Sequence, residues 1–96
     1  VDFTAAWCIS CQFNKRGALA DAQVLGDFET RRVLKLRADW TRRDAVISEE
    51  LRRLGRSGVP VYALYAPGRA QPQLLPEILS AAGVREALAA LPPTAP

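Results

Sequence analysis

The sequence predicts an α/β domain in which a mixed four-stranded sheet, built in the order βαβαββα, carries helices on both faces. Three observations lead there. Short β-branched or aromatic runs near Val1–Thr4, Val33–Ala38 and Val59–Tyr65 alternate with stretches whose apolar residues recur at helical spacing. The last of those runs is apolar on both faces, as a strand covered on both sides must be. Finally, 96 residues, 49% of them hydrophobic and 24% charged, are enough for one core and too few for a second folded unit.

The elements follow in order. Val1-Asp2-Phe3-Thr4 reads as a strand that hands over at Ala5-Ala6-Trp7-Cys8 to a helix running from Ile9 to about Ala20, with Ile9 and Phe13 on one face. Asp21 is placed to cap a second helical piece carrying Val24, Leu25 and Phe28. A strand over Val33–Ala38 ends at Asp39 and Trp40. Thr41-Arg42-Arg43-Asp44 fits a capping box, so a helix is expected to start at Thr41; Ile47, Leu51 and Leu54 form its buried stripe and Gly55 stops it. After the Ser57-Gly58 loop comes the strand opening at Val59-Pro60. A turn at Pro67-Gly68 leads to a short strand at Gln73–Leu75, and Val84, Leu88 and Leu91 mark the last helix. Right-handed crossovers would make the first three strands parallel neighbours and the turn would make the last pair antiparallel. The chain opens inside an apolar strand, so it is expected to be part of a longer protein, with a folded domain over 1–91 and a flexible tail over 92–96.

Composition removes several classes of function. The longest nearly uncharged run, Gly58 to Gly68, is too short to span a membrane. The net charge of +3 rests on eleven Arg and two Lys, scattered among acids without an aromatic ladder, so no nucleic-acid partner is expected. There is no histidine, which excludes Ser-His and Cys-His nucleophile pairs.

Chemistry must then come from cysteine or carboxylate. Cys8-Ile9-Ser10-Cys11 holds the only two cysteines, where a strand passes into a helix, and C-x-x-C in an α/β pattern reads as a redox pair. Two residues of spacing at a helix start bring the sulfurs within disulfide distance, and the free N–H groups there favour a thiolate on the first. Cys8 is the expected exposed nucleophile and Cys11 the buried resolving thiol. Zinc would need two more ligands, from carboxylates or a second copy. A static structural disulfide would close a loop too short to stabilise much. Asp2, in an apolar strand six residues ahead of Cys8, is costly to bury, so its pKa is expected to be raised and its role that of a proton relay to Cys11. The alternative is a partly hydrated acid at a strand end. Trp7 is expected to cover the disulfide and present a docking edge, or else simply to pack in the core. If Val59-Pro60 is cis, the Val59 backbone faces the cysteines and can meet a substrate strand; a trans proline at a strand edge is the alternative.

Val1–Cys11 together with Gly58-Val59-Pro60 resembles the thioredoxin superfamily. A narrower set, Ala38-Asp39-Trp40-Thr41, Gly55–Pro60, Leu64-Tyr65 and Leu75-Pro76-Glu77-Ile78-Leu79, is similar to the carboxyl-terminal thioredoxin-like domains of the DsbD family of thiol:disulfide interchange proteins. That resemblance implies a thioredoxin-like fold and a cis proline at Pro60. It implies a protein-disulfide reductase with Cys8 and Cys11 catalytic, Asp2 as the buried acid and Pro60 as the cis proline; Trp7, Val59 and Pro60 are the expected substrate-binding residues. It needs no cofactor beyond the redox-active Cys8–Cys11 disulfide. It also implies a soluble domain, monomeric in isolation, at the periplasmic face of the inner membrane. A transmembrane domain of the same polypeptide would supply electrons, and an amino-terminal periplasmic domain, then periplasmic disulfide proteins and cytochrome c maturation, would receive them. A stand-alone reductase and a non-catalytic adaptor are the competing functions. Two positions depart from the family pattern: Ala6, commonly Asp, and Lys15, commonly Glu, where a cation should favour the thiolate. The broader fold also has a strand and helix ahead of the segment matched by Val1.

Overall fold

Alternation along the first strand decides what each side of the sheet receives. In a computed structural model, which describes residues 1–91, β1 (Asp2–Thr4) lies between β2 (Arg37–Asp39) and β3 (Val61–Leu64), with β4 (Gln73–Leu74) outside β3. The tail expected over 92–96 lies outside the described residues. Four helices complete the chain: α1 (Ile9–Arg16), α2 (Ala22–Thr30), α3 (Ala45–Arg53) and α4 (Ala81–Ala89), with a 3₁₀ turn at Ala18–Ala20. Among the described residues no helix is long and apolar enough to cross a membrane. The mixed four-stranded sheet with helices on both faces is the architecture the sequence predicts.

Two apolar clusters hold the layers together. Phe3, Trp40, Leu51, Val61 and Ala63 close one face under α3, with Ile47 and Leu54 of the expected stripe packed against them. Ala18, Val24, Tyr62, Leu79, Val84 and Leu88 close the other under α2 and α4. Because side chains alternate along a strand, Phe3 turns to the α3 face while Asp2 and Thr4 turn to the opposite one.

The strand directions differ from expectation at one point. β1 and β2 are parallel and β3 and β4 antiparallel as expected, but β3 runs antiparallel to β1, pairing Asp2 with Tyr62 and Phe3 with Val61. β2 ends level with Thr4, and the chain passing through α3 re-enters the sheet at that same end, so β3, which starts there, must run the other way.

Local chemistry explains the helix ends. Asp21 caps α2 as expected, accepting from the N–H groups of Gln23 and Val24. α3 starts at Ala45, not Thr41: Asp44 is the cap, accepting from Val46 and Ile47, while Thr41 bonds elsewhere. Gly55 follows α3 with φ of +75°, the left-handed conformation that only glycine adopts without strain. α1 also turns differently from the reading of its apolar residues. Ile9 and Phe13 are exposed, and the buried positions are Cys11 and Asn14.

Candidate active site

β1 ends at Thr4, and Cys8 donates its N–H to Ala5 O at 3.1 Å, turning the chain into α1. Cys8 is itself the N-cap, with an extended backbone (φ −86°, ψ 108°). Its Sγ takes the place a serine or threonine oxygen usually fills, accepting the Cys11 N–H at 3.1 Å. The two cysteines are joined as a disulfide, with Cα atoms 5.2 Å apart. The order of exposure is the expected one, but the expected open nucleophile is not seen: Cys8 is 6% exposed and Cys11 2%, because Ala5 and Val59 pack against the pair.

The Val59-Pro60 peptide is cis. Pro60 is buried directly before β3, and Val59 packs on the cysteine cluster while its N–H and C=O make no backbone hydrogen bond among the described residues. The structure therefore brings Cys8, Cys11, Val59 and Pro60 to one end of the sheet.

Asp2 faces the side of the sheet that carries α1. Burial pushes its carboxyl above the ordinary value, while Arg37 and Lys15 pull the other way. Its Oδ1 is buried and has no hydrogen-bond partner among the described residues, and the same holds for Thr4 Oγ1, two residues on and on the same face. Asp2 and Lys15 also line an open groove of about 520 Å³ with Leu19, Phe28, Tyr62 and Leu75. The cysteines are not among its lining residues, so this groove is separate from the disulfide. Lys15, which stands where the family commonly has an acid, places its cation near Asp2.

Trp7 is not in the core. It is 48% exposed, donates Nε1–H to Thr41 O at 3.0 Å and meets Trp40 at 5.9 Å between ring centroids. Thr41, expected as a helix cap, instead ties the strand end to the cysteine turn. Its hydroxyl accepts the Ala6 N–H at 2.9 Å and donates to Asp39 Oδ1, which also accepts the Thr41 N–H. These bonds from Thr41 hold the Asp39 carboxyl below the ordinary range.

Asn14 is a residue the sequence reading missed. It is fully buried, its Nδ2 donates to Tyr62 Oη at 2.8 Å and to Glu77 O at 2.7 Å, and its Oδ1 accepts the Leu79 N–H at 3.0 Å. One amide thereby fixes the helix that carries the cysteines to β3 and to the segment before α4. The available signal was its spacing from Cys11: i and i+3 on a helix share a face. Among the described residues no group of three or more Cys, Asp or Glu is placed to hold a metal ion.

Comparison with known proteins accords with this geometry. No curated protein matches the chain. Two crystal structures of the carboxyl-terminal domain of DsbD from Neisseria meningitidis share its fold. The reduced form gives a TM-score of 0.76 at 23% identity, covering 92% of this chain and 75% of that one. The oxidised form gives 0.71 at 24% identity, covering 92% and 74%. A family model described as thioredoxin-like matches residues 1–67, a stretch that holds the C-x-x-C disulfide and the cis proline. The chain belongs to the thioredoxin-like family.

Proposed function

We propose that this domain is a thiol-disulfide oxidoreductase that works as a protein-disulfide reductase. The observation that carries the reading is the position of Cys8: it caps α1, and its sulfur accepts the Cys11 amide N–H, so the same amide and the helix terminus can hold a thiolate once the disulfide is opened. In the reduced domain the Cys8 thiolate attacks one sulfur of a partner disulfide. A Cys8–partner disulfide forms and the partner's other sulfur leaves as a thiolate. Cys11 then loses its proton and attacks Cys8 Sγ, re-forming the Cys8–Cys11 disulfide and releasing the partner as a dithiol. Two electrons pass from the domain to the partner. Asp2, on the face that carries α1, is the acceptor for the Cys11 proton, and Val59 offers N–H and C=O to an extended partner segment.

The likeness to the DsbD domain supports the finer assignment: a soluble domain on the periplasmic face, belonging to a longer polypeptide, passing electrons from a membrane-embedded domain to an amino-terminal periplasmic domain and on to disulfide proteins, without a cofactor. Equilibration with glutathione or dithiothreitol buffers, followed by counting of free thiols, tests the reading. A midpoint in the range of exchange proteins, about −120 to −270 mV, is expected. A disulfide that stays closed to well below −300 mV would make it structural and remove the function.

A further inference from the structure

Arg43 stands where an arginine is expensive. Its φ is +52°, in the left-handed region, at the end of a turn in which its N–H donates to Trp40 O at 2.9 Å. Glycine or asparagine fills such a position at less cost. The guanidinium lies 5.1 Å from the ring centroid of Trp7 and 5.1 Å from that of Trp40. These two indoles are held very differently. Trp40 is buried and its Nε1–H donates to Ser48 Oγ at 2.8 Å, whereas half-exposed Trp7 has the single hydrogen bond to Thr41 O. Arg43 therefore couples a loosely held ring to an anchored one. Trp7 directly precedes Cys8, and Ile9 and Phe13, both exposed, lie just beyond.

We propose that Arg43 is a positioning residue for docking. By stacking against both indoles it holds Trp7 as a fixed apolar shoulder beside Cys8, so that a protein partner meets an already ordered surface and does not have to order it on binding. This rests on the thiol-exchange function proposed above. Arg32 supplies the internal control: it too has a positive φ, +54°, and it too is an exposed cation, but among the described residues no aromatic ring lies beneath it.

The experiment compares Arg43→Gly and Arg43→Asn with Arg32→Gly and the unaltered chain. Reduction of insulin under dithiothreitol reports protein docking, and the reaction of the reduced domain with 5,5′-dithiobis(2-nitrobenzoate) reports thiol chemistry that needs none. At both Arg43 variants the KM for insulin should rise about three- to fivefold at unchanged kcat, the scale of an exposed cation–π contact. The nitrobenzoate rate should stay constant, and the fast component of the tryptophan anisotropy decay should grow. Arg32→Gly should leave all three readouts at their starting values. Equal KM values for the unaltered chain and both Arg43 variants would overturn the proposal, as would the same rise in Arg32→Gly, which would assign the effect to net charge. Failure of the unaltered chain to react with the nitrobenzoate would instead overturn the thiol-exchange reading itself.

Discussion

The two faces of the sheet are closed by different means. Under α3 the contact is made by Phe3, Leu51, Val61, Ala63 and the body of Trp40, whose one polar atom is satisfied by Ser48. Under α1 the same strands present Asp2, Thr4 and Tyr62, and the helix answers with Asn14. Some of these groups are fully bonded, as Asn14 is, and others keep a buried oxygen without a partner, as Asp2 and Thr4 do. The unfavourable terms are thus gathered on the face from which α1 delivers the cysteines. Both faces stabilise the domain through their apolar clusters, and the part of the second face under α1 spends some of that stability on groups that chemistry can use.

The sharpest break in that comparison comes from the cysteines. Cys8→Ser should abolish disulfide reduction, a fall of more than about a thousandfold, because the remaining thiol, Cys11, is buried inside the helix and cannot reach a partner disulfide. Cys11→Ser should lose turnover as well, yet accumulate a covalent Cys8–partner species visible by non-reducing electrophoresis or mass spectrometry. If Cys8→Ser accumulates the adduct and Cys11→Ser does not, the two roles are exchanged.

Matched truncations on the two faces come next. Leu51→Ala should cost about 2–5 kcal/mol in urea unfolding through the cavity it leaves. Asn14→Ala should cost about 2–4 kcal/mol for a different reason, since Tyr62 Oη, Glu77 O and the Leu79 N–H all lose a buried partner. A loss below about 1 kcal/mol at Asn14 would mean that the polar face is held by its apolar rim alone.

What the sequence made legible divides along the same line. Strand and helix order, the C-x-x-C at a helix start, the Asp21 cap and the Ile47-Leu51-Leu54 stripe were all readable because each is settled by residues no more than about two helical turns apart. The direction of β3 was not, although the information was present. A proline beside Cys8 requires β3 to begin where β1 ends, and that is incompatible with a β3 parallel to β1; the crossover rule counts only the strand-helix-strand order and is blind to that constraint. The helix is capped by Asp44 and not by Thr41 because both side chains can cap, three residues apart, and a distant partner, the Ala6 N–H, engages the Thr41 hydroxyl. The inverted face of α1 has a local cause. Periodicity assigns Ile9 and Phe13 to the interior, but the helix turns inward the positions that make specific bonds, Cys11 in the disulfide and Asn14 with its three hydrogen bonds, and Ile9 and Phe13 are left outside.

Asp2→Asn probes the unpaired acid directly. Burial raises the folded-state pKa above the ordinary 3.8, so the folded protein holds the proton more tightly than the unfolded chain does. The ionised group therefore lowers stability, fully above the folded pKa and progressively less as the pH falls toward the unfolded value. The variant should be more stable than the unaltered chain at pH 7 by about 1–2 kcal/mol, the scale of relieving a buried unsatisfied group, with the advantage vanishing below about pH 4. It should also lower the thiol pKa values and slow release of the mixed disulfide, since charge and proton acceptor leave together. A gain that persists unchanged at pH 3 would show that the effect is packing and not ionisation.

Thr4→Val is the smallest change and tests the same face without charge. The Thr4 side chain is buried and its hydroxyl has no partner among the described residues, so the native state gains nothing from a group that water solvates in the unfolded chain. Valine keeps the shape and the β-branching that suits a strand, and it replaces the hydroxyl by a methyl group. Stability should rise by about 0.5–1 kcal/mol, the reverse of what deleting a bonded hydroxyl does, and the change should be the same at pH 4 and pH 7 because nothing titrates. The Asp2→Asn gain, by contrast, must shrink over that interval. A loss of more than about 1 kcal/mol in Thr4→Val would reveal that the hydroxyl is bonded in solution. The polar side of the sheet would then be better satisfied than its geometry indicates, and Asp2 alone would carry the cost of keeping a reactive face.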